Sequence, residues 1–236
     1  MLIASLFLLQ LFLFAAGILG PWRDAPALKT NGRLPRVIRM LLSLSLVAAA
    51  LVIALNPFRI DAIYTRWVFL GMTASFIGDL IMARLIPLPN RLIGGMVAFG
   101  IAHALYITAY VQTIQANGAA LLNSGLFLGF GFYGVVSIFG WLALIRNPQK
   151  ETAINIGALV YGLWIGVMAS FALALAYALG GAFWIAAVGG LLFVASDFII
   201  GVTDIRGVSL KNANDWVWLT YVAAQMGIVY AGQLVG

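Results

Sequence analysis

Long apolar runs follow one another along the chain, and short polar segments between them hold most of the charged residues. Each run approaches the roughly 20 residues that an α-helix needs to cross a bilayer. The alternating pattern of a transmembrane β-strand is absent. We therefore predict an all-α fold, a polytopic bundle of about eight membrane-spanning helices. The predicted spans are residues 2–20, 37–56, 64–84, 92–113, 120–145, 153–178, 182–202 and 216–234.

Composition supports a membrane protein rather than a soluble one. The chain has 236 residues, of which 64% are hydrophobic and only 8% are charged, against about 25% charged residues in soluble domains. No segment between the runs is long enough for a soluble domain, so we predict a single integral membrane domain over 1–236. The first run lacks a basic leader, which favours a retained span over a cleaved signal peptide. Without cysteine, disulfides and thiolate chemistry are excluded.

The basic residues are distributed unequally between the two sides of the predicted bundle. Eleven belong to the odd-numbered loops and their edges: Arg23, Lys29, Arg33, Arg36, Arg39, Arg84, Arg91, Arg146, Lys150, Arg206 and Lys211. The other side has only Arg59 and Arg66. By the positive-inside rule, the odd loops face the cytoplasm and both termini lie outside. We expect a bacterial inner (plasma) membrane, and the net charge of +6 needs no nucleic-acid partner.

Two acidic residues, Asp79 and Asp197, fall inside predicted spans. A carboxylate in hydrocarbon is costly, so such a residue usually has a function. Spans three and seven run in the same direction, and Asp79 precedes Arg84 by about five residues, or roughly 7 Å. Asp197 lies at a similar depth before Asp204. We predict that the two acids share one cytoplasm-facing pocket; the alternative is that each only bonds a neighbouring helix.

A short internal similarity supports the shared pocket. Spans three and four give Asp79 and then His103 near mid-span, and spans seven and eight give Asp197 and then Gln225. A parallel repeat would bring equivalent positions together, with a site between the halves.

Five polar residues are candidates to line the pocket, although a structural role with satisfied hydrogen bonds is an alternative for each. They are His103, Tyr106, Tyr161, Tyr221 and Gln225. His103 is the only histidine, so it is a poor metal candidate unless both acids join it. We predict neither a metal nor another cofactor.

A basic rim follows the two acids in sequence. It consists of Arg84, Arg91, Arg206 and Lys211. These residues either record orientation alone or form a phosphate clamp above the acids. We select Arg84 and Arg206 as substrate-binding candidates.

Two acids without a nucleophile motif indicate acid–base chemistry. One carboxyl group would donate a proton, while the other stays ionised and activates water or stabilises a cation. Glycosidases use such a pair through an oxocarbenium-like state, and a vinyl ether hydrolyses through a similar cation. These residues alone leave the cleaved bond open.

The motifs Gly78-Asp79, AFGIAHALY (98–106), GGLLFVASDFIIG (189–201) and Tyr221 to Gln225 resemble those of the YhhN-like lysoplasmalogenases. The resemblance covers most of the chain from about residue 40. It implies hydrolysis of the vinyl ether bond of a lysophospholipid, which releases a fatty aldehyde and a glycerophospho-ethanolamine or -choline. It also implies that Asp79 and Asp197 are the catalytic acids, and that His103, Tyr106, Tyr221 and Gln225 line the site.

Two other classes of function fit the same residues. A proton-coupled transporter or lipid carrier would use the buried acids as proton relays and break no bond. A lipid-binding protein without turnover would only hold its ligand. In all three cases the expected partners are a lysophospholipid-like molecule and membrane lipids.

Overall fold

Polar side chains cap the N-termini of several helices, where they accept hydrogen bonds from backbone N–H groups that have no partner within the helix. Asp61 accepts from Ile63 and Tyr64, and Asn90 and Asn123 cap the next two helices in the same way. At the end of the sixth helix, Gly180 adopts a positive φ of 67°, which glycine tolerates without strain.

The computed structural model describes residues 1–20, 32–58 and 61–233. It contains eight α-helices, and no strand occurs in the described residues, which confirms the all-α class. The helices are α1 (Leu2–Leu19), α2 (Arg36–Leu55), α3 (Ala62–Met82), α4 (Arg91–Ala116), α5 (Ser124–Gly140), α6 (Thr152–Leu179), α7 (Phe183–Ile200) and α8 (Ala213–Ala231). Their ends differ from the predicted spans by at most five residues. Arg23, Lys29, Arg59 and residues 234–236, the end of the predicted last span among them, lie outside the described residues.

Helices α5 and α7 each continue into one π-helical turn, Trp141–Ile145 and Gly201–Ile205. The two turns pack against each other. The Ile145 side chain occupies the space beside Gly201 that a larger residue at position 201 would fill. Such wide turns are often found at functional sites.

Six of the helices are long and apolar enough to cross a membrane, so the chain is an integral membrane protein. Helices α3 and α8 are not among the six. They carry Asp79, Tyr221 and Gln225, and they pack between the other helices. With 21 and 19 residues they extend about 30 Å, so we still expect both to span the bilayer.

Successive helices run in opposite directions, so the odd loops meet at one end of the bundle, called here the basic end. Three contacts join these loops. The Arg36 guanidinium donates to the Ala83 carbonyl, Arg91 pairs with Asp204 at 2.9 Å, and the Arg33 backbone N–H donates to Asp215. We expect the basic end to face the cytoplasm.

Small residues let α5 and α6 approach each other closely, as is common in membrane bundles. A Cβ atom at Gly129 would lie 2.7 Å from the Ser170 Cα. Gly131, on the same helix, faces open space, and a Cβ atom there meets nothing within 4 Å.

We predict that Gly129→Leu destabilises the protein by about 1–3 kcal/mol, because overpacking forces α5 away from the α6 backbone. Gly131→Leu is the matched control and should leave stability unchanged or slightly raised, since leucine favours helix over glycine. Thermal unfolding in detergent measures both. Equal effects of the two substitutions would contradict this packing.

Candidate active site

Asp79 on α3 is held by hydroxyl groups from two other helices. The Ser43 hydroxyl on α2 and the Tyr221 hydroxyl on α8 both donate to the same oxygen, Oδ2, the second at 2.7 Å. Only 4% of Asp79 is exposed. Two donors on one oxygen stabilise a negative charge there. Among the described residues, no side chain donates to Oδ1, which is available to another partner.

Asp197 on α7 is held from the other side of the bundle. The Tyr161 hydroxyl on α6 donates to Asp197 Oδ2 at 2.6 Å. Asp197 is only partly buried, so its carboxyl group remains open to a neighbouring space.

Both carboxyl groups line one cavity of about 520 Å³ towards the basic end of the bundle. This polar cavity is also lined by four arginines, one further acid and an indole: Arg36, Arg39, Arg84, Arg91, Asp204 and Trp218. The structure therefore brings Asp79 and Asp197 together, below a group of cations that could bind an anion.

Arg39 is the most enclosed of these cations, with 8% of its surface exposed. Its guanidinium donates to the Asn214 side-chain oxygen at 3.2 Å and lies 5.8 Å from the centre of the Trp218 ring. These contacts fix a charged group at the wall of the polar cavity. A guanidinium held in one orientation can bind a phosphate through two parallel hydrogen bonds.

Sequence reasoning missed the contribution of α2 to this site. Arg36, Arg39 and Ser43 are spaced three and four residues apart, so they lie on one face of α2. Such a polar stripe in an otherwise apolar helix is the sequence pattern that could have indicated that α2 lines a polar site. The positions of the two arginines predict orientation alone, and Ser43 is not among the predicted site residues.

The predicted basic rim is only partly at the cavity. Arg84 and Arg91 line it. Arg84 follows α3 with a φ of 59°, a left-handed conformation that is unusual for a residue other than glycine. Arg206 is not among the lining residues, and neither is Lys211. The Arg206 guanidinium donates instead to the backbone carbonyl of Arg146.

A second, smaller space of about 70 Å³ adjoins the polar cavity and is called here the apolar slot. Its walls come mainly from α4, α5, α6 and α7 and include Leu92, Trp141, Ile165, Val194 and Phe198. Four residues line both spaces: Met82, Phe99, Asp197 and Ile200. Asp197 is therefore at the junction of a polar and an apolar space, whereas Asp79 lines only the polar one.

The model of the YhhN family matches residues 34–231. The chain belongs to the YhhN family. The match covers α2 to α8, and so it includes every residue that lines the polar cavity and the apolar slot. No curated protein and no solved structure matches the chain.

In this member of the YhhN family, three of the predicted lining residues lie outside both spaces. The Tyr106 hydroxyl donates to Gln225 Oε1 at 2.7 Å, so the two side chains are partners inside the bundle. The buried Gln225 Nε2 has no hydrogen-bond partner among the described residues. His103 is fully buried, with its ring 4.8 Å from that of Phe193 and 5.8 Å from that of Tyr161.

The carboxylate-rich metal site considered for Asp79, Asp197 and His103 is not assembled. Among the described residues, no three His, Asp or Glu side chains converge. His103 is packed against Tyr161 and Phe193, and its ring nitrogens have no hydrogen-bond partner in the described part of the chain. Tyr161 and Tyr221, in contrast, each contact one of the two acids.

We predict that Tyr106→Phe lowers the free energy of unfolding by about 1 kcal/mol, because it leaves the Gln225 oxygen buried without its donor. The double variant Tyr106→Phe/Gln225→Leu should recover part of the loss, since neither partner then remains unsatisfied. Thermal unfolding of the three proteins in detergent tests this. If the double variant had a lower free energy of unfolding than Tyr106→Phe alone, the pairing of Tyr106 with Gln225 would be contradicted.

Proposed function

We propose that this protein hydrolyses the vinyl ether bond of a lysoplasmalogen-like lysophospholipid by carboxylate acid–base catalysis. The observation that carries the proposal is the placement of Asp79 and Asp197 on one cavity, below a group of arginines. Membership of the YhhN family, together with the lysoplasmalogenase-like motifs, supports the choice of bond. Products would be a fatty aldehyde and a glycerophospho-base.

The charges around the polar cavity suggest how the substrate is oriented. Its phosphate would bind at the arginines, with Arg39 as the fixed contact and Arg84 as a more exposed one. The alkenyl group would then point towards the apolar slot. The vinyl ether bond, where the polar and apolar parts of the substrate meet, would then lie beside Asp197.

In the first chemical step, we assign the acid to Asp197. Its carboxyl group gives a proton to the vinyl carbon that is farther from the ether oxygen, and the carbon–carbon double bond supplies the electron pair. The product of this step is an oxocarbenium ion. Asp197 is suited to the role because the protonated carbon belongs to the alkenyl chain, and Asp197 borders the apolar slot as well as the polar cavity.

In the second step, Asp79 acts as the base. It accepts a proton from a water molecule as the water oxygen bonds to the cationic carbon, which gives a hemiacetal. Ser43 and Tyr221 hold the carboxylate oriented and stabilise its charge. The hemiacetal then collapses: its hydroxyl group gives a proton to the Asp197 carboxylate, its carbon–oxygen bond to the glycerol breaks, and the glycerol oxygen takes the proton that Asp79 had accepted. Both acids return to their starting states, and the aldehyde leaves.

We predict that Asp79→Asn and Asp197→Asn each lower kcat by about 10²–10⁴-fold, the usual size of a general acid or base effect. The double variant should cost little more than the worse single one, because the two groups act as a unit. Release of fatty aldehyde from a lysoplasmalogen by the purified protein is the measurement.

The control for these variants is Asp61→Asn, at the other end of α3. Asp61 caps the helix, and asparagine is an equally good cap, so this variant should fold and turn over normally. Near-full hydrolysis by folded Asp79→Asn and Asp197→Asn would exclude the two-carboxylate mechanism. A folded, unsubstituted protein that releases no aldehyde would instead favour a transporter or lipid carrier.

We predict that Arg39→Gln raises KM about tenfold with a smaller change in kcat, because a phosphate contact stabilises substrate and transition state alike. Arg206→Gln is the matched control. Its guanidinium contacts the Arg146 carbonyl and not the cavity, so KM should stay unchanged. If KM rose only in Arg206→Gln, the phosphate would have to bind outside the polar cavity.

A further inference from the structure

We propose that the apolar slot binds the single hydrocarbon chain of the lipid, and that Gly162 determines how far a chain can fill it. The identity of the substrate in this inference rests on the proposed function. The site itself is argued from the shape and chemistry of the slot.

The chemistry of the slot suits hydrocarbon. Its lining is almost entirely apolar, and the Ser137 hydroxyl, which also lines it, already donates to the Gly162 carbonyl at 3.1 Å. A head group placed there would lose its hydrogen bonds to water without finding replacements, which is costly. The wall formed by α5 and its π-helical turn runs from Val136 to Ile145, about 13 Å at the α-helical rise and slightly less across the π-helical turn.

Continuity with the polar cavity identifies the occupant. Both spaces share Asp197 and Phe99. A molecule that fills both must therefore have a charged group at one end and a hydrocarbon chain at the other. The slot has a volume of about 70 Å³, against about 520 Å³ for the polar cavity, so we assign it a single chain. A chain that enters from the bilayer only exchanges one apolar environment for another, so shape and not hydrophobicity decides the fit.

Three glycines line the slot, and they differ in the space beside them. A Cβ atom at Gly95 would meet the Met82 sulfur at 2.7 Å, and one at Gly201 would meet Ile145 at 2.8 Å. A Cβ atom at Gly162 meets nothing within 4 Å. Gly162 lies on the same face of α6 as Ala158 and Ile165, which also line the slot, so a side chain added there would extend into the slot without displacing a neighbour.

The test is the binding of two saturated alkyl-ether lysophospholipids, one with a long chain and one with a short chain. They lack the vinyl bond, so they cannot be hydrolysed by the proposed reaction. We expect Gly162→Leu to raise the Kd of the long-chain probe about tenfold and to leave that of the short-chain probe within about twofold. Gly162→Ala fills less of the slot and should raise the long-chain Kd about threefold, which provides a milder variant if the leucine variant does not fold.

The matched control is Gly157→Leu. Gly157 lies on the same helix and also has open space beside it, but it lines neither the slot nor the polar cavity. It should bind both probes like the unsubstituted protein. Unchanged long-chain binding in folded Gly162→Leu or Gly162→Ala would overturn the inference, as would an equal loss for both probes.

An aldehyde-release assay on the unsubstituted protein separates this inference from the proposed function. If the protein binds the long-chain probe in a manner that depends on Gly162 but releases no aldehyde from lysoplasmalogen, the chain site stands and the proposed function fails. If aldehyde is released but binding of the long-chain probe does not depend on Gly162, the proposed function stands and the chain site fails.

Discussion

The desolvation of two carboxyl groups inside an apolar helix bundle is the constraint on which the rest of the structure depends. Burial of an acid among apolar helices is costly unless hydrogen-bond donors surround it. Hydroxyl groups provide those donors: Ser43 and Tyr221 contact Asp79, and Tyr161 contacts Asp197. These bonds join α2, α3 and α8 on one side and α6 and α7 on the other. The groups that satisfy the acids therefore also hold together the walls of the cavity.

The two acids have different surroundings because only one of them lies at the junction of the polar cavity and the apolar slot. Asp197 borders both the polar cavity and the apolar slot, whereas Asp79 borders only the polar one. An amphipathic substrate that spans the junction presents its two ends to different surroundings, so its orientation is set before any reaction. The reacting bond of a lysoplasmalogen lies where its polar and apolar parts meet. Under the proposed function, substrate orientation and the division of roles between the two acids would have the same structural origin.

The sequence was informative wherever a property is local to one helix. Apolar runs predicted the helices, and the cost of a charge in such a run singled out Asp79 and Asp197. Contacts between helices depend on the rotation of each helix and on packing between distant segments. The residue pattern of a single sequence does not predict these contacts. For that reason Ser43 and the cavity-lining role of Arg39 were missed. For the same reason Arg206 was expected at a site from which its guanidinium points away, and Tyr106 and Gln225 were expected at a substrate rather than at each other.

The most direct measurement is the hydrolysis of a lysoplasmalogen by the purified protein in water labelled with deuterium and, separately, with heavy oxygen. Protonation on carbon predicts an aldehyde with one deuterium next to its carbonyl carbon. Attack of water on the vinyl side predicts a glycerophospho-base that contains no heavy oxygen. Heavy oxygen in the glycerophospho-base, an aldehyde without deuterium, or no aldehyde from folded protein would contradict the account.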